Sequence, residues 1–315
     1  MSPVLRAFLI ISALLLLAPL LFPSVYYYRI GVLVLINTLS VTGMVVLLGY
    51  VGLVSLGHAG FFAIGAYATA VLPAYGIPPI LTILVGAIGA ALVAAFIGKP
   101  ILRLKGHYLA IATLGFGMLV WMVLSKEAWL TGGPDGMVVE SIDVKAPFEL
   151  LGIKIKTAIA WYWICAVAVV IGIVLATNLA NSPAGRAMRA VHESDVAAAS
   201  LGIDVARTKL TAFIISAVYA SVAGSLLALF NRYVTPDTAD FLHSIEIMTM
   251  TVLGGASSVY GALIGALILT SLPQMLTVFA EYENMMFGAI MILTMVLMRQ
   301  GLAPAIAQLF SRGRK

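Results

Sequence analysis

The sequence contains few charged residues and almost no cysteine. Asp, Glu, Lys and Arg together account for 10% of the 315 residues, whereas 62% are hydrophobic and the mean hydropathy is +1.08. Soluble domains carry about 25% charged residues, so this composition excludes a soluble globular domain and indicates an integral membrane protein. The single cysteine, Cys165, lies in an apolar run and excludes both a disulfide scaffold and a cysteine-based metal site.

Motifs for nucleotide binding and catalysis are also missing. A phosphate-binding loop of the form G-x-x-x-x-G-K-[ST] does not occur, because Gly98 and Lys99 are followed by Pro100. No metal-ligand spacing and no nucleophile–base pair is present, so we expect no catalytic residue, no metal and no cofactor in this chain. If ATP drives the protein, a partner subunit must bind and hydrolyse it.

Apolar segments of the length needed to cross a membrane recur along the chain. A transmembrane helix needs about 20 apolar residues to cross a hydrocarbon core of about 30 Å. The first segment lacks a small-residue cleavage site, so we interpret it as a retained helix and not as a signal peptide. We predict an all-α polytopic membrane protein of about ten helices, with residues 1–315 as a single transmembrane domain. The candidate spans are 7–23, 30–50, 55–73, 79–98, 107–124, 159–178, 208–230, 242–256, 258–277 and 284–299.

The distribution of Lys and Arg predicts the orientation. With the N-terminus in the cytoplasm, the cytoplasmic segments hold twelve of the 18 Lys and Arg residues and the opposite side holds six. Cytoplasmic loops carry an excess of these residues, so we predict an N-in, C-in topology with an even number of spans. The basic pI of about 9.3 therefore reports topology and does not indicate nucleic-acid binding.

Residues 49–65, GYVGLVSLGHAGFFAIG, place five glycines and two polar side chains in a span-sized segment. Glycine permits close helix packing and unwound backbone, which a membrane tolerates only where protein or a water-filled cavity covers it. We expect this segment at a helix interface or beside a translocation path, with Ser55, Gly57 and His58 as path candidates. A second glycine cluster at 254–265 is a candidate for its pseudo-symmetric counterpart.

Glu246 is an acidic residue inside a predicted span. Such a side chain costs about 2.5–3.5 kcal/mol on insertion scales, so we expect it to face the protein interior and to have a partner. His243, one helical turn earlier, is the nearest candidate, whereas His58 is expected at the opposite end of the membrane. Glu246 is either a structural hydrogen-bond node or a path-lining or gating group. His58 is either a cross-helix hydrogen-bonding group or part of the path.

The loop 125–158 is expected on the outer side of the membrane. It contains the turn-rich cluster TGGPDG (131–136), followed by two β-like runs, MVVESIDV and ELLGIKIK, that predict a small external hairpin. The loop is either an ordered cap over the spans or a docking surface for an external partner. The docking candidates are Trp129, Gly132, Gly133, Pro134 and Asp135.

The cytoplasmic stretch 179–209 predicts two short helices between two spans. Ser182 is expected to cap a helix that begins at Pro183, and Ser194 to cap a second one that ends near Gly202 in a left-handed conformation. Asp204 is placed to cap the following membrane helix. The stretch is either an amphipathic anchor at the membrane surface or a plug for a groove on a cytoplasmic partner, because small alanines permit close approach.

Four motifs in this order resemble one family. VAAASLG (196–202) looks like the cytoplasmic loop of bacterial ABC importer permeases, whose usual form is Glu-Ala-Ala, three residues, then Gly. Val196 replaces the usual Glu, and Glu193 lies three residues earlier. The whole set resembles the LivM-type permeases of high-affinity branched-chain amino acid transporters. The matching segments are GLVSLGHAGFFAIGAYATA (52–70), 112–137, GRAMRAVHESDVAAASLGID (185–204) and SIEIMTMTVLGGASSVYGALIGA (244–266).

The resemblance implies a ten-helix fold similar to the type II ABC importers, such as the vitamin B12 permease, in the bacterial inner membrane. It implies a homologous LivH-type permease, two cytoplasmic ABC ATPase subunits and a periplasmic substrate-binding protein as partners, with membrane lipid around them. It also implies that the stretch 182–204 couples the permease to the ATPases. The coupling candidates are Gly185, Arg186, Arg189, Glu193, Ala197, Ala198 and Gly202.

Other functions remain open on the sequence alone. Related permeases for urea, short amides and aromatic or other organic acids share much of this pattern. From another class, an ion-coupled secondary transporter would use Glu246 and His243 as a proton relay and would need no ATPase. A membrane scaffold without transport activity would not need this many glycines.

Overall fold

The computed structural model describes residues 24–145 and 155–275, together with Pro19, Phe22, Gly288 and Ile292 as single residues. The predicted first and last spans, 7–23 and 284–299, therefore lie almost wholly outside the described residues. Within the described part the chain is built mainly of helices, as the composition predicts.

Five described helices are long and apolar enough to cross a membrane. The first, α1 (Val25–Met44), continues through a wide π-helical turn, Val45–Gly49. The other long helices are α3 (Pro79–Ile101), α4 (His107–Lys126), α6 (Thr157–Asn181) and α9 (Val205–Asn231). Shorter helices are α2 (His58–Val71), α5 (Ala128–Thr131), α7 (Pro183–Glu193), α8 (Asp195–Ser200), α10 (Phe241–Gly254) and α11 (Gly261–Met275).

Two of the predicted spans are shorter in the structure than a full crossing. Helices α2 and α10 have 14 residues each, which makes them about 21 Å long against a hydrocarbon core of about 30 Å. The predicted span 55–73 is helical only from His58, because the preceding residues 52–57 are unwound. Broken helices of this kind are a recurring way for transporters to build a substrate path.

Helices α1 and α9 form the centre of the bundle. α9 packs against α1, α2 and α3, while α1 also packs against α6 and α11. The most apolar stretch of α1 is 83% buried, whereas those of α3 and α4 are each 28% buried and therefore line the periphery.

Glycine permits a close helix contact between α2 and α9. A Cβ at Gly65 would lie 1.9 Å from the backbone oxygen of Ser221, and a Cβ at Gly224 would lie 1.9 Å from that of Phe62. Ser225 Oγ donates a hydrogen bond to the Gly65 carbonyl across this contact at 2.9 Å. Each helix therefore presents a glycine where the backbone of the other comes closest.

A small antiparallel sheet joins the segment that follows α5 to the segment that follows α9. Strand β1 (Met137–Val138) pairs with β2 (Tyr233–Val234), which follows α9 directly. The described partner of the first run is therefore β2, whereas residues 149–154 of the second run, its predicted hairpin partner, lie outside the described residues. Arg232 adopts a left-handed conformation (φ 58°), and this turn brings β2 alongside β1.

Candidate translocation and coupling sites

The unwound segment 52–57 connects the π-helical turn to α2. Gly52 has φ +74°, and the Leu56 N–H donates to Thr113 Oγ on α4 at 3.0 Å. Gly57 lies so close to α4 that a Cβ there would be 1.9 Å from the Thr113 carbonyl oxygen. Among the described residues, the buried Ser55 hydroxyl has no hydrogen-bond partner. Protein therefore covers this irregular backbone at Ser55 and Gly57, whereas Gly52 at its start is exposed in the isolated chain.

His58 begins α2 and is completely buried. Ser216 Oγ lies 2.8 Å from His58 Nε2, and the Ser216 carbonyl oxygen lies 3.3 Å from the same nitrogen. Ser216 is eleven residues, or about 16 Å, along α9 from Val205, so His58 meets α9 near the middle of that helix. This geometry favours a cross-helix hydrogen bond at the break in the span.

The first turns of α2 and α10 are neighbours. The Ala59 N–H donates to Ser244 Oγ at 3.0 Å, and the rings of Phe62 and His243 are 4.8 Å apart in an edge-to-face arrangement. The expectation that the α2 start and the Glu246 region lie at opposite ends of the membrane was therefore wrong. The reason is that the unwound segment carries the chain deep into the bundle before α2 begins.

Glu246 pairs with His243, as its position one turn later predicts. His243 Nδ1 lies 3.1 Å from Glu246 Oε2. The Glu246 side chain is less enclosed than expected, with 36% of its surface exposed in the isolated chain, compared with 19% for His243. Lipid is a costly surrounding for a carboxylate, so this face of α10 fits a protein partner or a water-filled path better than it fits lipid.

The loop 179–209 has the helix caps that the sequence predicts. Ser182 Oγ accepts from the Gly185 N–H and Ser194 Oγ accepts from the Ala197 N–H, each at 3.2 Å. Gly202 follows α8 with φ +81°. The Asp204 carboxylate then accepts from the first turn of α9, at the Arg207 N–H, at 2.9 Å.

Three of the coupling candidates hold α7 against the end of α6. Gly185 is buried, and a Cβ there would lie 2.2 Å from the Leu179 carbonyl oxygen. The Arg186 guanidinium donates to the Asn181 carbonyl at 3.1 Å, and the Arg189 guanidinium donates to the Ala180 carbonyl at 2.9 Å. These arginines satisfy carbonyls at the C-terminus of α6, where positive charge is also favoured by the helix dipole.

The remaining coupling candidates lie on or beside α8. Ala197, Glu193 and Gly202 are exposed, whereas the Ala198 side chain is buried beneath the helix. The most exposed apolar side chains here are Val196 and Leu201, at 80% and 78%. The sequence interpretation did not select them as candidates, because it treated Val196 only as a departure from the family motif. The exposed apolar pair, flanked by small residues, is the signal that identifies this surface.

The docking candidates in the loop 125–158 form an exposed turn. Trp129 on α5 is 79% exposed, and its Nε1–H donates to Glu127 Oε2 at 2.8 Å. Gly132, Pro134 and Asp135 are also exposed, whereas Gly133 is buried. The Tyr233 hydroxyl donates to the Asp135 carbonyl and thereby joins this turn to β2.

This combination of apolar spans, a broken helix and a capped polar loop is that of a multi-pass helical membrane protein. The chain belongs to the family described as branched-chain amino acid transport system / permease component, whose model matches residues 26–295.

Two similar relatives are named high-affinity branched-chain amino acid transport system permease protein LivM. The protein from Escherichia coli K12 is 34% identical over 87% of this chain and 69% of its own length. The protein from Salmonella typhimurium is 35% identical over 83% of this chain and 66% of its own length. The permease protein LivH of the same Salmonella strain is 28% identical over 82% of this chain and 88% of its own length. No solved structure matches the chain.

Proposed function

We propose that this chain is the membrane-spanning permease subunit of an ATP-driven importer for the branched-chain amino acids leucine, isoleucine and valine. The LivM-type relatives support the substrate class. The observation that carries the mechanism is the capped cytoplasmic loop, which presents Val196 and Leu201 as an exposed apolar pair. Exposed apolar side chains with small neighbours suit a helix that enters a groove on another protein.

The full assembly follows from the same proposal. The permease pairs with a homologous LivH-type subunit in the bacterial inner membrane, and two cytoplasmic ABC ATPases bind and hydrolyse the ATP. A periplasmic binding protein delivers the substrate to the outer turn around Trp129. The complete permease then has ten helices in an N-in, C-in, type II importer arrangement, with α8 facing the ATPases.

Transport in this scheme alternates access around a path between the two permeases. The unwound segment with Ser55 and Gly57, the adjacent His58, and the half-exposed Glu246 on α10 are the path candidates. The first turns of α2 and α10 meet through Ala59 and Ser244, so a displacement of either half-helix reaches the other.

Replacing Gly202 with leucine tests the coupling assignment. A Cβ at this position would meet no heavy atom of the described residues within 4 Å, so an effect beyond backbone strain would indicate a docked partner. We expect a loss of at least about fivefold in substrate imported per ATP hydrolysed, the lower range of coupling between sites. The measurement uses the complete transporter in proteoliposomes.

Gly76→Leu is the matched control for this experiment. Gly76 has the same φ of +81°, and a Cβ there would also meet no heavy atom within 4 Å in the described part of the chain. It lies between α2 and α3 in the sequence and away from α8. Its variant should carry the same backbone strain and retain normal coupling. Normal ATP-driven uptake by Gly202→Leu would overturn the assignment of the loop.

The His243–Glu246 pair supports one alternative function, an ion-coupled transporter. In that case uptake would collapse with the proton gradient and not with ATP depletion, and Glu246→Gln would abolish it. An affinity purification from native membranes separates the two functions. Recovery of an ATPase and a second permease supports the importer, whereas recovery of the chain alone under conditions that preserve ABC complexes supports the alternative.

A further inference from the structure

We infer that α7 transmits the movement of the coupling loop to the broken helix through two contacts, His192 on Gly52 and Arg189 on Tyr50. This inference rests on the proposed function and names the positioning residues that would carry the ATP-driven stroke from α8 to the path.

The two contacts join the cytoplasmic loop to the start of the unwound segment. A Cβ at Gly52 would lie 3.3 Å from His192 Cγ and 3.4 Å from two further ring atoms, so the imidazole occupies the space beside this glycine. The Arg189 guanidinium carbon lies 6.0 Å from the centre of the Tyr50 ring, within the range of a cation–π contact. Tyr50 is buried, so a movement of α7 acts directly on the core end of α1.

The segment that receives these contacts has the features of a hinge. Its hydrogen bonds widen from the helical pattern, since the Leu53 N–H reaches back six residues to the Leu47 carbonyl at 3.1 Å. Gly52 adopts φ +74°, which other residues rarely adopt. π-helical turns occur frequently at functional sites, and hinge motions concentrate backbone change in a few such residues.

The far end of the hinge connects with the path candidates. The Leu56 N–H is fixed to Thr113 Oγ on α4, and the next helix begins with the His58–Ser216 contact to α9. Only five residues therefore separate Gly52 from the first turn of α2, so a displacement at Gly52 has a short path to that helix. α2 in turn contacts α10 at Ser244, two residues before Glu246.

A cytoplasmic cleft gives this contact room to move. The cavity measures about 530 Å³ and lies between the hinge, α7, and the start of α4, with Leu53, Lys105, His107 and Glu193 among its lining residues. Closely packed interiors do not deform continuously, whereas a cleft on one side of a contact lets α7 shift against the hinge. The Asp195–Lys209 ion pair, 2.6 Å long, fixes α8 to α9 on the opposite wall.

His192→Ala tests the contact, with His107→Ala as the matched control. Both histidines are exposed and line the same cleft, but only His192 touches Gly52. In the complete transporter in proteoliposomes, His192→Ala should lower substrate imported per ATP by at least about fivefold. ATP hydrolysis and subunit assembly should persist, and His107→Ala should match the parent protein. His192→Phe, which keeps a ring against Gly52, should restore most of the coupling.

A double-mutant cycle distinguishes this route from general damage to the loop. Gly52→Ala pushes a methyl group toward the His192 ring, so its defect should be smaller in the His192→Ala background, because contacting residues are non-additive. Gly76→Ala controls for the strain of alanine at positive φ, since it has no neighbour within 4 Å. Additive effects of Gly52→Ala and His192→Ala would overturn the contact.

The failure of this route and the failure of the proposed function give different results. If Gly202→Leu uncouples the transporter while His192→Ala keeps the parent coupling ratio, the loop couples to an ATPase but the His192–Gly52 route is wrong. If Gly202→Leu couples normally, the assignment of the whole loop is wrong, and the route through α7 is rejected with it.

Discussion

Glycines inside the helices differ in what surrounds them, and this difference decides the effect of a methyl group. A Cβ at Gly65 would lie 1.9 Å from the Ser221 carbonyl oxygen, whereas a Cβ at Gly89 on α3 would meet no heavy atom of the described residues within 4 Å. Both residues lie inside helices, where alanine is intrinsically favoured over glycine by about 0.5–1 kcal/mol. Backbone contact therefore opposes the intrinsic preference at Gly65 and not at Gly89.

We predict that Gly65→Ala destabilises the permease and that Gly89→Ala leaves it unchanged or slightly more stable. Overpacking typically costs about 1–3 kcal/mol, and at Gly65 the obstacle is backbone, which cannot rotate away. The melting temperature of the purified transporter in detergent measures the effect. Equal melting temperatures for the two variants would show that α2 and α9 do not approach as closely as described.

Local chemistry at single residues was predictable from the sequence. The caps by Ser182, Ser194 and Asp204 each require only a hydroxyl or carboxylate and an N–H three residues later. The partner of Glu246 was predictable for the same reason, since His243 lies one turn away on the same helix. The partner of His58 was not, because Ser216 is 158 positions away in the chain.

At the scale of the element, the length of an apolar run did not give the length of the helix. The run 55–73 contains only a 14-residue α-helix, because the Gly52–Gly57 backbone is held by contacts to α4. The glycines indicated unwound backbone, but the residue at which winding resumes depends on tertiary contacts. The strand at Met137–Val138 shows the same limit: β-like composition indicated a strand, and only the turn at Arg232 determined its partner.

An ion pair between Asp195 and Lys209 joins the short helix α8 to α9. Lys209 Nζ lies 2.6 Å from Asp195 Oδ2, and their side chains are 13% and 35% exposed. Partly exposed pairs of this kind contribute up to about 1 kcal/mol. A helix of six residues has little stability of its own, so even this small energy affects its opening.

We predict that Asp195→Asn and Lys209→Met each increase amide hydrogen exchange across residues 195–200 by about threefold, the change expected from about 0.7 kcal/mol. The double variant should exchange no faster than either single variant, because the same interaction is lost in all three. Exchange in α2 should remain unchanged and serves as the internal control. If the exchange increases of the two single variants instead multiply in the double variant, the two residues act independently.

At the scale of the whole molecule, the two sides of the bundle have different surfaces. The peripheral helices α3 and α4 expose mainly apolar side chains and enclose an apolar groove that includes Phe116, Trp121 and Met122. The α10 side instead carries the half-exposed Glu246 and its partner His243. Lipid suits the first surface, and the second suits the paired permease or the path.

The structure also makes the orientation of the chain across the membrane testable. Trp129 and Val196 are matched probes, because each lies on a short helix outside the bundle and they are 79% and 80% exposed. The native thiol of Cys165 is only 1% exposed, and a Cys165→Ala background removes it altogether. A difference in labelling between Trp129→Cys and Val196→Cys therefore reports the side of the membrane and not the accessibility of the residue.

We predict that a membrane-impermeant maleimide labels Trp129→Cys in intact cells and does not label Val196→Cys. In inside-out vesicles stripped of peripheral subunits, the pattern should reverse, because the positive-inside distribution places α8 in the cytoplasm. Labelling of Val196→Cys from outside would show that the orientation is the reverse of the one predicted. It would also separate α8 from any cytoplasmic ATPase, so the coupling proposal and the α7 route would fall together with the orientation.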